Sequence, residues 1–162
     1  MTSNIKLFIL LAGALFLFRI VPHPPNFTPV IAATVFAACA GKRFWESMAV
    51  VLLAMFASDL LLGLHSGILA VYASLAAVFV TARYFNLFWS TLIGPTVFFV
   101  LSNFSVWLSG WYPMTVDGLI ACYIAAIPFY ANSLTATVFY VIVFTIMQRY
   151  LAVAQQDRAT AF

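Results

Sequence analysis

A chain of 162 residues that is 65% hydrophobic and only 7% charged, with a mean hydropathy of +1.09, cannot clothe a water-facing surface, because soluble domains carry roughly 25% charged residues. Its 7 Lys and Arg against 4 Asp and Glu exclude a soluble globule, a disordered tail and a nucleic-acid-binding module, and leave an integral membrane protein. A helical crossing takes about 20 residues, so six of them leave only about 40 for termini and loops; the chain reads as one membrane domain over residues 1–162.

In chain order the apolar segments cover about 5–21, 28–41, 46–64, 67–83, 87–109, 115–131 and 133–151. Lys6 and the first apolar run resemble a signal peptide, but Ala12-Gly13-Ala14 comes too early for a cleavage site, so this run reads as the first membrane helix. Pro22-His23-Pro24-Pro25-Asn26 breaks it, since proline lacks the amide donor and clashes with the preceding turn. Gly41-Lys42-Arg43, Gly63-Leu64-His65-Ser66-Gly67, Gly110-Trp111-Tyr112-Pro113 and Asn132-Ser133 supply the remaining breaks. Cys39 and Cys122 sit inside apolar runs and read as small hydrophobes rather than as a disulfide or metal ligands.

Basic residues collect on the cytoplasmic side of membrane proteins. If the first five segments cross, Lys6, Lys42, Arg43 and Arg83 share one side, and Arg149 and Arg158 join them only if one of the last two segments does not cross. Segment 115–131, with Asp117 at its start and Pro128 near its end, is the weaker span. The expectation is an all-α polytopic protein of six membrane helices with both termini cytoplasmic, residues 115–131 forming a re-entrant or interfacial lid on the outer face.

This topology places most of the remaining polarity outside. The outer loops carry His23 and Asn26, then His65 and Ser66, then Trp111, Tyr112 and Asp117. At 1.5 Å per residue, Arg19, Asp59 and Asn103 lie about 3, 7 and 9 Å below the outer ends of their helices. A charge within a span is costly and faces a partner or a wet cavity, which makes Arg19 and Asp59 a natural pair, either pinning two helices or serving a ligand. Asn103, Trp107 and Trp111 follow at i, i+4 and i+8 on one helix stripe. The set Arg19, His23, Asn26, Asp59, His65, Asn103, Trp107, Trp111 and Asp117 describes an outward-facing pocket with aromatic walls and a few polar anchors. Ala33 and Ala37 form a small-xxx-small step that permits close helix contact, internal or with a partner protein.

No Walker A, G-x-S-x-G, H-E-x-x-H or C-x-x-C motif is present, and no nucleophile–base set is readable, so the chain reads as a non-enzyme without an intrinsic cofactor or metal. No ionisable residue lies in the inner half of a span, which argues against a proton-coupled pump.

The strings Arg19-Ile20-Val21-Pro22-His23-Pro24-Pro25-Asn26-Phe27-Thr28-Pro29, Ser58-Asp59-Leu60-Leu61-Leu62-Gly63 and Asn103-Phe104-Ser105-Val106-Trp107-Leu108 resemble a family of small bacterial membrane proteins. That family is similar to the substrate-binding S components of energy-coupling-factor (ECF) vitamin transporters. The resemblance implies a six-helix protein of the bacterial inner membrane that binds a vitamin or similar micronutrient at its outer face. It also implies a separate membrane scaffold and ATPases as energy source, or a solitary role such as that of proteins similar to a cobalamin uptake protein, with a cobalamin-like ligand and a coordinating histidine. S components commonly dock their scaffold through an Ala-x-x-x-Ala step in the first helix, whereas here the candidate step, Ala33 to Ala37, is in the second. The alternative is a structural membrane protein similar to the rod-shape determinant MreD, which has the size and shape of an S component but imports nothing.

Overall fold

The computed structural model describes residues 3–41, 44–64 and 66–160. Regular structure among them is helical: α1 (Ser3–Ile20), α2 (Val30–Ala40), α3 (Phe44–Leu62), α4 (Ile68–Ala82), α5 (Leu87–Leu108) and α6 (Val116–Thr160). Among the described residues, three stretches are long and apolar enough to cross a membrane, namely α3, α5 and Val116–Ala154 of α6, while Leu11–Ile20 of α1, α2 and α4 are apolar but shorter. The loop residues Lys42, Arg43 and His65 lie outside the described residues.

The short, alanine-rich α2 is the centre of the molecule. Every residue from Val30 to Ala38 is buried, as expected of a helix that is apolar on all faces. α3, α4, α5 and α6 all pack against it, and α1 touches it. Ala33 and Ala37 are both 0% exposed. The small-residue step is therefore an internal contact, and the alternative of a partner-docking surface is corrected: its methyl groups already face neighbouring helices. Close approach recurs on α5, where a Cβ on Gly94 would lie 2.8 Å from Val35 Cγ2 and 3.3 Å from Val78 Cγ1.

α6 overturns the expected break at Asn132-Ser133 and, with it, the re-entrant segment at 115–131. Its 45 residues form one helix, about 67 Å long at 1.5 Å per residue. Asn132 and Ser133 read as loop residues in water, but in an apolar medium the backbone must satisfy itself and a helix does so. Ser133 is buried, and its carbonyl accepts from Thr137 Oγ1 at 2.7 Å. Pro128 removes one helical donor, facing Ile124, without ending the helix. The first half of α6 runs antiparallel to α5. Cys122 Sγ donates to Asn103 O (3.4 Å), Tyr123 Oη to Val100 O (2.7 Å), and Tyr130 Oη meets Thr96 Oγ1 (2.9 Å). The second half passes to α2 and α1 through the ring contacts of Phe144 with Phe36 and of Tyr140 with Phe18.

The two ends of the bundle differ in chemistry. At one, the C-terminal turns of α2 and α4 are joined by Arg83, whose Nη1 donates to Ala38 O at 3.0 Å and Gly41 O at 2.8 Å. At the other, the C-termini of α1 and α3 meet the start of α4 around Asp59.

Candidate ligand-binding site

Arg19 stands in the last turn of α1 because Pro22 ends that helix just beyond it. Its Nη2 pairs with Asp59 Oδ1 at 2.5 Å. Nη1 lies 3.4 Å from the Met55 carbonyl and 3.1 Å from its sulfur. Asp59 is 1% exposed, and a carboxylate so buried requires more than one partner. The second is Tyr72 on α4, whose hydroxyl donates to Asp59 Oδ2 at 2.7 Å. The expected Arg19–Asp59 pair is thus part of a three-residue cluster tying α1, α3 and α4. Tyr72 escaped the sequence analysis because a tyrosine in an apolar run reads as packing; the usable signal was that a buried aspartate has two oxygens to satisfy.

Above this cluster lies a cavity of about 360 Å³ whose lining includes Arg19, His23, Asn26, Thr28, Met55 and Ser133. A second cavity of about 230 Å³ shares Asn26, Val71, Phe98 and Ser133 with the first and adds Ser102, Asn103 and Tyr130. The loop between α1 and α2 forms part of the wall of this region through His23, Asn26 and Thr28. Asn26 takes a left-handed backbone (φ 61°), tolerated by asparagine more readily than by most residues. Phe27 N donates to Pro24 O at 3.0 Å. Asn132 Nδ2 of α6 donates to Pro25 O at 3.0 Å, and Phe27 packs near Phe139 and Tyr140. His23 is exposed, with Nδ1 2.9 Å from the Pro24 carbonyl.

Arg19, His23 and Asn26 line the larger cavity and Asn26 and Asn103 the smaller, while Asp59 is paired with Arg19 without lining either; the other predicted positions do not join them. Asn103 gives one amide hydrogen to Phe99 O of its own helix (2.8 Å). Trp107, expected as a cavity wall, lines neither cavity; its indole Nε1 donates to Pro113 O at 3.0 Å and holds the α5–α6 turn. Trp111 is 79% exposed in that turn. Asp117 is exposed in the first turn of α6, where a carboxylate complements the helix dipole. His65 lies outside the described residues. Thr28, Met55, Ser102 and Ser133 were missed by the sequence analysis, since lone hydroxyls and a methionine in apolar runs carry no periodic signal.

A model for a family of unknown function, DUF6580, matches residues 1–159. The chain belongs to DUF6580. No curated protein matches it, and no solved structure does. For this DUF6580 chain, the chemistry of the site follows from its own residues. Of the ion pair only Arg19 lines the cavity, its charge balanced by the buried Asp59, and the walls mix aromatic rings with hydroxyl and amide groups. Such a chamber suits a compact molecule with both a ring and several hydrogen-bonding groups.

Proposed function

We propose that this protein is a substrate-binding membrane transport protein, acting as S components of ECF transporters do, that takes up a vitamin-like nutrient through the cavity above Arg19 and Asp59. The observation that carries the proposal is the convergence of a buried charged cluster, a cavity and a proline-rich cover at one end of the bundle. Phe98, Phe99 and Tyr130 would flank a ring, while Asn26, Ser133 and Asn103 would meet polar groups. With about 360 Å³ in its larger chamber, the site lies near the lower end of the roughly 300–1,000 Å³ range of small-molecule pockets. That size favours a compact ring system over a cobalamin-like macrocycle.

The accompanying topology is six helices threading the bacterial inner membrane, α3, α5 and α6 long enough to span it unaided and the 11-residue α2 passing through the centre of the bundle, with the Arg83 end and both termini cytoplasmic by the positive-inside rule. A continuous α6 supports this parity, because one last crossing replaces the lid and span expected from sequence. With Ala33 and Ala37 buried, a scaffold and its ATPases would dock elsewhere on the helices, or the protein acts alone.

The test is calorimetric titration of the purified protein with a panel of water-soluble vitamins. Binding tighter than about 100 µM, roughly −5.5 kcal/mol, by one compound, weakened in Asn26→Ala and Ser133→Ala, is the expected result. The competing scaffolding role is favoured by one observation: both Asp59 oxygens are already satisfied within the protein. It gains if no compound binds, these variants are silent in cells and other membrane proteins co-purify.

A further inference from the structure

We infer that the opposite end of the bundle binds the phosphate of an anionic phospholipid. A cavity of about 530 Å³ opens there between α2, the α4–α5 connection and α6, with Arg83, Asn86 and Gln148 as its polar lining and Phe36, Phe85 and Leu87 among its apolar walls. Both hydrogens of Arg83 Nη1 are taken by the carbonyls of Ala38 and Gly41. This anchoring fixes the guanidinium and leaves the Nε–Nη2 edge, the one that grips phosphate in a bidentate manner. Asn86 uses its side-chain oxygen to cap α5, accepting from Trp89 N at 3.1 Å, so its remaining polar atom is a donor. Gln148 adds another amide. Among the described residues no carboxylate lines this cavity, and Arg149 follows Gln148 in sequence.

The same end offers a place for the lipid tail. An apolar groove of about 650 Å³ between α4, α5 and α6 is lined by Thr81, Trp89, Leu92, Thr96 and Tyr130, among others. On α4 it begins one residue from the polar cavity, Thr81 beside Ala82, and on α5 two residues away, Trp89 after Leu87. A polar chamber for an anion next to an apolar channel matches a phospholipid better than a soluble anion. Basic pockets between membrane helices on the cytoplasmic side are suited to such headgroups.

The experiment uses the full chain in nanodiscs of phosphatidylcholine with and without phosphatidylglycerol, followed by native mass spectrometry and thermal unfolding. Phosphatidylglycerol should be retained about tenfold over phosphatidylcholine and should raise the unfolding temperature. Asn86→Asp keeps the helix cap and Gln148→Glu keeps the shape, yet each replaces an amide donor with a negative charge, so each should abolish the preference. Arg83→Gln should also abolish it, but that change releases α2 as well, so the two isosteric variants decide. Equal retention of both lipids, or a preference unchanged in both isosteric variants, overturns the inference. An equal thermal shift from inorganic phosphate in phosphatidylcholine discs overturns it too, by assigning the site to a soluble anion.

Discussion

Tyr72 and Asp59 meet at 2.7 Å across α3 and α4, thirteen residues apart in sequence. Their hydrogen bond completes the coordination of a carboxylate that Arg19 alone leaves half satisfied. Removing one partner of a buried ion pair costs about 3–5 kcal/mol, whereas replacing the whole set by apolar groups of similar volume is often neutral. Asp59→Ala should therefore lower the unfolding temperature sharply in thermal melts of detergent-solubilised protein. The triple change Arg19→Met, Asp59→Leu, Tyr72→Phe should restore it. If the cluster serves ligand uptake, the triple variant folds yet fails to import; a fully active triple variant would leave the cluster a purely structural pin.

Asn132 ties the cover to α6 by donating to Pro25 O at 3.0 Å. Such a bond contributes about 1 kcal/mol net. Asn132→Ala should speed ligand exchange about fivefold, the factor corresponding to that energy, with little change in melting temperature. Stopped-flow displacement measures it, and an unaltered rate would mean that the loop does not gate the cavity.

Gly94 permits α5 to approach α2 and α4, with Val35 Cγ2 only 2.8 Å from where a Cβ would stand. Gly94→Ala should destabilise by about 1–3 kcal/mol, the range for overpacking. Pairing it with Val35→Ala should recover part of that loss, a coupling expected only of residues in contact. Additive effects in thermal melts would place the two helices further apart.

The continuous α6 makes a topological prediction. Asp117 opens it and Arg149 lies 32 residues further on, about 48 Å at 1.5 Å per residue. That exceeds the roughly 30 Å hydrocarbon core. In a Cys39→Ala, Cys122→Ala background, Asp117→Cys should react with an impermeant maleimide in intact cells, and Arg149→Cys only after permeabilisation. Labelling of both from one side would mean that α6 does not cross.

Five of the six helices coincide to within a few residues with apolar runs bounded by proline, glycine or charge. Those runs are legible because a break in an apolar chain must carry residues that stop a helix or prefer water. The Asn132-Ser133 break misled for a related reason. Asparagine and serine signal loops where water competes for the backbone, and that competition disappears inside a packed, apolar bundle. The Arg19–Asp59 pair was readable from depth alone, since two opposite charges at similar levels in a low-dielectric medium have strong reason to meet.

Composition and charge placement alone determined the class of the protein, its helical segments and the polar residues at one end. Only the tertiary structure decided that α2 is the core, that α6 is one helix, and that Tyr72 and Ser133 join the site while Trp107 and Trp111 stay out of it. The difference is physical. Burial from water is a property each segment carries in its own residues, whereas which side chains share a cavity depends on how helices rotate and tilt against one another, and that is set by packing between residues far apart in the chain.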